Sequence, residues 1–251
     1  LSQYDVVLSS SATVAKYVHV PNGQHICYCY IPTRAIWQFD DYFGDSFKGR
    51  LFGLFLPFMR RRDLQAAHRV NRFVAISEDS RNHIRVCYQR DADIIHSPID
   101  LERFVPASSH GEHFLVVSRL EHWKRVDYAV AAFNVLGLPL RIIGTGKEEA
   151  RLKAMAKPNI TFLGSVDDAT LAQEYREARA VVFTPLLEYG LIPLEANASG
   201  TPVICLGQGG IIETMIPWRD DAASNGKATA IFFQEQSVAD LVDAVRRFQD
   251  V

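Results

Sequence analysis

The sequence places two cations and two carboxylates in short segments that each follow a run of apolar, β-branched residues. Arg119 and Lys124 follow one such run, and Glu188 and Glu195 follow another. Arginine and lysine just before a helix can hold a diphosphate, because their charges add to the positive end of the helix. Pro193 can occupy the first position of a helix, which would place Glu195 in the first turn, where a carboxylate can accept hydrogen bonds from both hydroxyls of a ribose. Solvated cations and a carboxylate that complements the helix dipole are the simpler alternatives.

Two glycine-containing segments follow further apolar runs. Gly144-Thr145-Gly146 lacks the third glycine of a dinucleotide fingerprint and the Gly-Lys-Ser/Thr of a P-loop, so a tight turn explains it equally well. Gly209 and Gly210 precede a predicted helix, where backbone N–H groups can approach phosphate oxygens. A simple turn is again the alternative. Four such loops at consecutive strand ends together favour a bound diphosphate.

The elements that would position these loops alternate between strand and helix, which predicts parallel strands with helical crossovers. Ligands of a doubly wound sheet bind beyond the carboxyl ends of its strands, where these loops lie. We predict strands at Tyr4–Leu8, His25–Tyr30, Arg72–Ile76, Ala92–Ile95, His113–Val117, Arg141–Ile143, Ile160–Leu163, Ala180–Thr184, Val203–Leu206 and Ala230–Phe233. We predict helices at Gly49–Val70 with a kink or break at Pro57, Ser77–Tyr88, Val126–Leu136, Glu148–Ala156, Ala169–Ala178, Leu194–Ser199 and Val238–Phe248.

A polar connector at Ser97–Gly111 separates two such regions. We therefore predict two α/β domains, residues 1–106 and residues 107–251. The first has few βα units for a Rossmann-like domain, and the chain begins at Leu1 without a methionine. We expect residues 1–106 to be the later part of an incomplete N-terminal domain.

Composition narrows the class of protein. Apolar residues make up 48% of the 251 residues and the net charge is −2, which fits a globular protein and argues against nucleic acid as the main partner. No apolar stretch has the length of about 18–20 residues that a membrane span needs, and no signal peptide is recognisable. The four cysteines do not have the spacing of a zinc site, so we expect buried thiols in a reducing compartment.

Several stretches together resemble the retaining GT-B glycosyltransferases of the family-4 type, also called group 1. The strongest is EYGLIPLEANASGTPVICLGQGGIIET (Glu188–Thr214), with VSRLEHWKRVDYAVAAF (Val117–Phe133), NITFLGSV (Asn159–Val166), FVAISEDSRNHI (Phe73–Ile84) and SPIDLERF (Ser97–Phe104). The resemblance covers nearly the whole chain and implies two Rossmann-like domains with parallel sheets. The segment Ser9–Trp37 is similar to a subgroup of bacterial polysaccharide assembly that often transfers mannose from GDP-mannose.

This resemblance implies a role for each matching residue. Arg119 and Lys124 would hold the diphosphate, and Glu195 would hold the ribose. Glu188 would face the donor sugar. The remaining positions fall into three groups: a lining of the phosphate and sugar (Gly209 and Gly210), contact with the base near Gly164–Val166, and substrate-side candidates in the first domain (Tyr30 and Arg34).

Two features depart from the family pattern at the sugar end of the site. Six residues separate Glu188 from Glu195, where the family has seven. Either one loop residue is absent, which shortens the reach by about 3.3 Å, or Leu187 takes the place of the first glutamate. Tyr30 stands where the subgroup usually has histidine. A phenol can hydrogen-bond a sugar hydroxyl, but with an ordinary pKa of about 10 it is a poor proton acceptor.

The resemblance implies transfer of a hexose, with mannose the best candidate, from GDP-mannose or a UDP-hexose to a growing glycan or lipid-linked acceptor in the cytoplasm. No Asp-x-Asp motif appears where a metal would be needed, so we expect a metal-independent reaction without a cofactor. The alternatives are a non-catalytic nucleotide-sugar-binding module and another GT-B enzyme such as a phosphorylase or an epimerase. The segment Phe47–Arg62 combines apolar residues with three arginines and predicts either contact with an anionic membrane or a core helix with a solvated end.

Overall fold

The chain divides into two compact units. The computed structural model describes residues 1, 3–39, 49, 52–107, 111–219 and 225–250. The first unit is Leu1–Ser97 and the second is Pro98–Val251. The segment Pro98–Pro106, which the sequence assigns to the first domain, therefore belongs to the second unit. The physical reason is Phe104, which is buried in the second unit with its ring against that of Tyr175.

Four parallel strands form the sheet of the first unit, in the spatial order β1-β2-β3-β4. Strand β1 extends through three serines beyond the predicted end at Leu8, because Ser9–Ser11 pair with Cys27–Cys29 of β2. The strands are β1 (Val6–Ser11), β2 (Gln24–Cys29), β3 (Arg72–Ala75) and β4 (Ala92–Ile94).

Three α-helices accompany this sheet among the described residues: α1 (Arg34–Trp37), α2 (Leu56–His68) and α3 (Glu78–Tyr88). Pro57 lies in the first turn of α2, where a backbone N–H would have no acceptor within the helix. It breaks the predicted helical run, as expected. Ser77 caps α3 by accepting a hydrogen bond from the Ser80 N–H at 3.0 Å. Within the segment Phe47–Arg62, residues 47, 48, 50 and 51 lie outside the described residues.

Six parallel strands form the sheet of the second unit, in the spatial order β10-β9-β8-β5-β6-β7. The strands are β5 (Phe114–Val117), β6 (Leu140–Ile143), β7 (Ile160–Gly164), β8 (Ala180–Phe183), β9 (Val203–Leu206) and β10 (Ala230–Phe233). The helices are α4 (Val126–Leu136), α5 (Glu149–Met155), α6 (Asp168–Glu177), α7 (Leu191–Ala198) and α8 (Val238–Gln249). The strand order reverses between β5 and β8, and in open parallel sheets this reversal opens the crevice in which ligands bind.

Alternate residues of the central strands face two helix layers. Phe114 and Val116 belong to a core with α4 and α8, and Leu115 belongs to a second core with α6 and α7. A sheet that is covered on both faces needs apolar residues at consecutive positions, which explains the β-branched runs of the sequence. This doubly wound arrangement agrees with the predicted fold class.

The four cysteines, Cys27, Cys29, Cys87 and Cys205, are buried free thiols, as expected. Within the described part of the chain, no helix has the length and apolar character needed to cross a membrane.

Candidate functional site

The loop after β5 brings the two predicted cations to a common aromatic ring. The Lys124 Nζ lies 4.2 Å from the centre of the Trp123 ring, and the guanidinium carbon of Arg119 lies 5.6 Å from it. Both distances are within cation–π range. Trp123 thus keeps two positive groups close together beside the strand reversal. Trp123 was not among the predicted site residues, although its position between the two cations was a usable signal.

Gly144 and Gly146 pack against the backbone of this loop. Leu120 donates its N–H to the Thr145 carbonyl and accepts from the Glu148 N–H, both at 2.9 Å. A Cβ at Gly144 would overlap the Ser118 carbonyl oxygen, and a Cβ at Gly146 would overlap the backbone of Leu120. The Gly-Thr-Gly segment therefore packs against the cation loop, and this close approach leaves no room for a side chain at either glycine.

The loops after β8 and β9 pack against each other through the glycine pair. The Gly210 N–H donates to the Leu187 carbonyl at 2.9 Å, and a Cβ at Gly210 would overlap the Glu188 carbonyl oxygen. Gly209 has a φ of 68°, a region that favours glycine. The predicted helix after these glycines is instead a short 3-10 helix, Gly209–Glu213. The Gly210 amide is thus used to hold the segment with Glu188, which is half-buried.

Glu195 lies in the second turn of α7, not in the first turn as predicted. The helix begins at Leu191 and Pro193 is its third residue. Proline is tolerated throughout the first turn, because the first N–H groups of a helix have no intrahelical partner, and the prediction wrongly placed it at the first position. The carboxylate is half-buried, and burial raises its pKa.

Tyr175 positions the Glu195 carboxylate. Its hydroxyl donates to Glu195 Oε2 at 2.9 Å, and its ring packs edge-on against Phe104 with 5.6 Å between ring centres. Burial, with the nearby Glu195 charge, holds the Tyr175 pKa well above its usual value, so the phenol stays a donor. Among the described residues, Tyr175 is the only hydrogen-bond donor to this carboxylate, and Oε1 accepts none. The sequence offered no signal for Tyr175, which lies 20 positions away.

The loops after β5, β8 and β10 are joined at the strand reversal. Thr184 Oγ1 donates to the Lys124 carbonyl at 2.9 Å, and Gln236 Nε2 donates to the Thr184 carbonyl at 3.1 Å. These bonds fix the backbone of the cation loop relative to β8. The arrangement offers clustered positive charge at one carboxyl edge of the sheet, which suits an anionic ligand.

The predicted base-contact segment follows β7 at the same carboxyl edge. Gly164 has a φ of 70°, and its carbonyl accepts from the Gly144 N–H at 2.7 Å. Among the residues that the structure describes, none except the chain neighbours has an atom within 4 Å of the position that a Gly164 Cβ would take. Val166 packs partly against the core, and Asp167 caps α6. The backbone of Gly164–Val166 is thus held at both ends, with open space beside Gly164.

The substrate-side candidates of the first unit lie just beyond the carboxyl end of β2. The Tyr30 hydroxyl lies 2.7 Å from Ser10 Oγ, and its ring packs edge-on against Tyr28 at 5.5 Å between centres. Arg34 is half-buried and is the first residue of α1. Both residues therefore lie at a strand edge where parallel sheets bind ligands.

Comparisons with known proteins agree with this architecture. An uncharacterized glycosyltransferase of Methanocaldococcus jannaschii is 30% identical over 125 residues, which cover 46% of this chain and 32% of that protein. The chain thus spans about a third of the length of this curated relative. Sucrose-phosphate synthase from Thermosynechococcus elongatus matches 98% of this chain and 65% of its own, with a TM-score of 0.78 and 18% identity. Anabaena HepE, solved with UDP-glucose, matches 97% of this chain and 68% of its own, with a TM-score of 0.72 and 15% identity.

The structural matches establish the fold: two α/β units with parallel sheets, as in GT-B proteins. The family model described as glycosyl transferases group 1 matches residues 98–250, more than half of the chain. On this match, the chain belongs to the glycosyl transferases group 1 family.

Proposed function

We propose that this chain binds the donor in a retaining glycosyltransferase that moves a hexose from a nucleotide-diphosphate sugar to a growing glycan or lipid-linked acceptor. One observation carries the proposal: Arg119 and Lys124 meet around Trp123 beside the strand reversal of a doubly wound sheet. A diphosphate needs paired cations at such an edge.

Each residue has a proposed role in this reaction. Arg119 and Lys124 bind the diphosphate, and the half-buried Glu195, oriented by Tyr175, accepts hydrogen bonds from the ribose hydroxyls. Glu188 faces the donor sugar. Two backbone segments complete the site. Gly209 and Gly210 line the phosphate and sugar, although the Gly210 N–H already has a hydrogen-bond partner in the protein, and Gly164–Val166 contacts the base.

The chemical task is to break an anomeric C–O bond to a diphosphate. Negative charge grows on the leaving diphosphate, and cations that are already in place stabilise it without reorganisation. We propose that Arg119 and Lys124 perform this task, so that the reaction is metal-independent. The leaving phosphate takes the proton of the acceptor hydroxyl on the same face of the sugar, which retains the anomeric configuration. In this mechanism Tyr30 need not act as a base.

The proposed donors are GDP-mannose and UDP-hexoses. GDP-mannose comes from the resemblance of the first unit to polysaccharide mannosyltransferases, and UDP-hexoses are supported by the UDP-glucose bound to the HepE structure. Four free thiols support a cytoplasmic location. The exposed side chains of Leu54, Phe55 and Phe58 beside basic residues support peripheral contact with a membrane that carries the acceptor.

The test is hexose transfer from GDP-mannose and from UDP-glucose, measured with and without a chelator. We expect transfer from at least one donor, unchanged by the chelator and lowered about a hundredfold in an Arg119→Gln/Lys124→Gln variant. The matched control is Arg151→Gln/Lys153→Gln, which removes the same charge from the surface of α5. Loss of transfer on chelation would refute the metal-independent mechanism.

The alternative is a non-catalytic nucleotide-sugar-binding module of the same fold. It is favoured by the six residues between Glu188 and Glu195 and by Tyr30, which both depart from the family pattern at the sugar end. Nucleotide binding without turnover of any nucleotide sugar would support this alternative, and turnover would exclude it.

A further inference from the structure

Helix α2 of the first unit carries a stripe of exposed side chains that the transfer reaction does not use. Phe58, Arg62, Gln65 and the C-terminal cap residue Arg69 follow one another at intervals of four, three and four residues, which places them on one side of the helix and its cap. All four are exposed. The opposite face is buried through Asp63, Ala66 and Ala67.

This stripe borders a groove. Tyr17, Arg62, Gln65 and Arg69 line a cavity of about 280 Å³. The Tyr17 hydroxyl donates to Asp63 Oδ1 at 2.7 Å, which fixes the phenol at the wall of the groove. Pockets for larger ligands typically begin at about 300 Å³, so a cavity of this volume suits a small polar group of the size of a phosphate ester.

The positive charge of the groove is not neutralised from within the described residues. Among the described residues, neither Arg62 nor Arg69 has a carboxylate oxygen within 4.0 Å, and the Arg62 guanidinium carbon lies 5.9 Å from the centre of the Phe58 ring. The nearest carboxylate along the chain is Asp63, which is fully buried.

Asp63 is already saturated by four donors. Lys16 Nζ lies 2.8 Å from Oδ1 and forms a buried ion pair, while hydroxyl and indole donors reach the carboxylate at 2.7–2.8 Å, namely Tyr17, Trp37 and Tyr88. Its charge is therefore compensated in the core. Two arginines on one groove that have no carboxylate partner in the described part of the chain form a site for an external anion, since a guanidinium binds phosphate in a bidentate manner.

We propose that the groove of Tyr17, Arg62, Gln65 and Arg69 is a binding site for a phosphate group, separate from the donor site of the second unit. The phosphate comes from a lipid headgroup or from a soluble phosphate ester. The exposed Phe58 next to the groove would enter the interface of a bilayer in the first case. The inference does not depend on the proposed transfer reaction, because its readout is binding alone.

The test has two arms on the full chain. One measures co-sedimentation with vesicles of phosphatidylcholine alone and of phosphatidylcholine with phosphatidylglycerol, and the other titrates glycerol 3-phosphate by calorimetry. In the lipid case we expect binding only to the anionic vesicles, about 30-fold weaker in Arg62→Gln/Arg69→Gln, at about fivefold per arginine. In the soluble case we expect glycerol 3-phosphate to bind and the variant to lose about tenfold or more.

Arg72→Gln/Arg85→Gln is the matched control, because it removes the same charge from the same unit at arginines that have carboxylate partners. We expect this control to bind as the unmodified chain does. Both variants should keep the unfolding midpoint, since they change exposed side chains. Three results would overturn the proposal. They are absence of binding in both arms, equal binding to the two kinds of vesicle without binding of the soluble ester, and an equal loss of affinity in the two variants.

Discussion

Gly210 is the position where one methyl group should most disturb the candidate site. Its backbone angle is not in the left-handed region, so alanine meets no conformational penalty there. The penalty is steric, because the new Cβ would overlap the Glu188 carbonyl oxygen, far inside the 3.0 Å limit that real Cβ atoms keep. The neighbour is backbone and cannot rotate away, so one of the two loops must move.

The expected cost of Gly210→Ala has two parts. Overpacking that forces a backbone shift costs about 1–3 kcal/mol. Moving the loops apart also weakens the hydrogen bond from the Gly210 N–H to the Leu187 carbonyl, which contributes about 1 kcal/mol. We expect the free energy of unfolding of the second unit to fall by about 2–4 kcal/mol. Nucleotide-sugar turnover should fall as well, because the segment with Glu188 moves.

The assay is urea denaturation followed by circular dichroism, with Gly226→Ala as the matched control. Apart from its chain neighbours, no described residue has an atom within 4 Å of the position that a Gly226 Cβ would take, so this change should stay within about 0.5 kcal/mol of the unmodified chain. A Gly210→Ala chain as stable and as active as Gly226→Ala would refute the close approach of the two loops.

Three further predictions concern buried polar groups. Burial raises the Glu195 pKa in the folded chain, so ionisation of this carboxyl opposes folding. At pH values above about 4.3, the pKa of this carboxyl in the unfolded chain, Glu195→Gln should therefore raise the free energy of unfolding. The gain should vanish at lower pH, and a gain that persists in acid would contradict this sign. Tyr175→Phe removes the donor to Glu195 Oε2 and should weaken nucleotide binding about fivefold in calorimetry, and unchanged affinity would remove its positioning role. Asp63→Asn leaves Lys16 buried without its counter-charge and should lower the free energy of unfolding in urea by about 3–5 kcal/mol. The control Asp93→Asn breaks an exposed pair and should lower it by less than about 1 kcal/mol. Similar losses in the two variants would contradict the buried pair.

Much of the fold was predictable, because strand and helix alternate in the sequence and apolar periodicity marks each element. The ends of elements were less so. Ser9–Ser11 do not look like a strand, and only their pairing with β2 makes them one. Pro193 marks the first turn of α7 but does not say which residue of that turn it occupies.

The residue types of the candidate site were also visible, but not the contacts that arrange them. The spacing of Arg119 and Lys124 predicted paired cations, while their meeting at Trp123 depends on how the loop folds over Gly144 and Gly146. Adjacent glycines suggested open amides for a phosphate. The structure instead uses the Gly210 amide to join two loops, a role that depends on contacts distant in sequence. Tyr175 was missed for the same reason.

The most direct test of nucleotide-diphosphate binding is calorimetric titration of the chain with GDP, UDP and ADP. We expect that at least one of these nucleotides binds and that Arg119→Gln/Lys124→Gln weakens its binding by about tenfold or more. The control Arg151→Gln/Lys153→Gln should bind as the unmodified chain does. Absence of binding by all three nucleotides, or equal affinity in the Arg119→Gln/Lys124→Gln variant, would contradict diphosphate binding by these two cations.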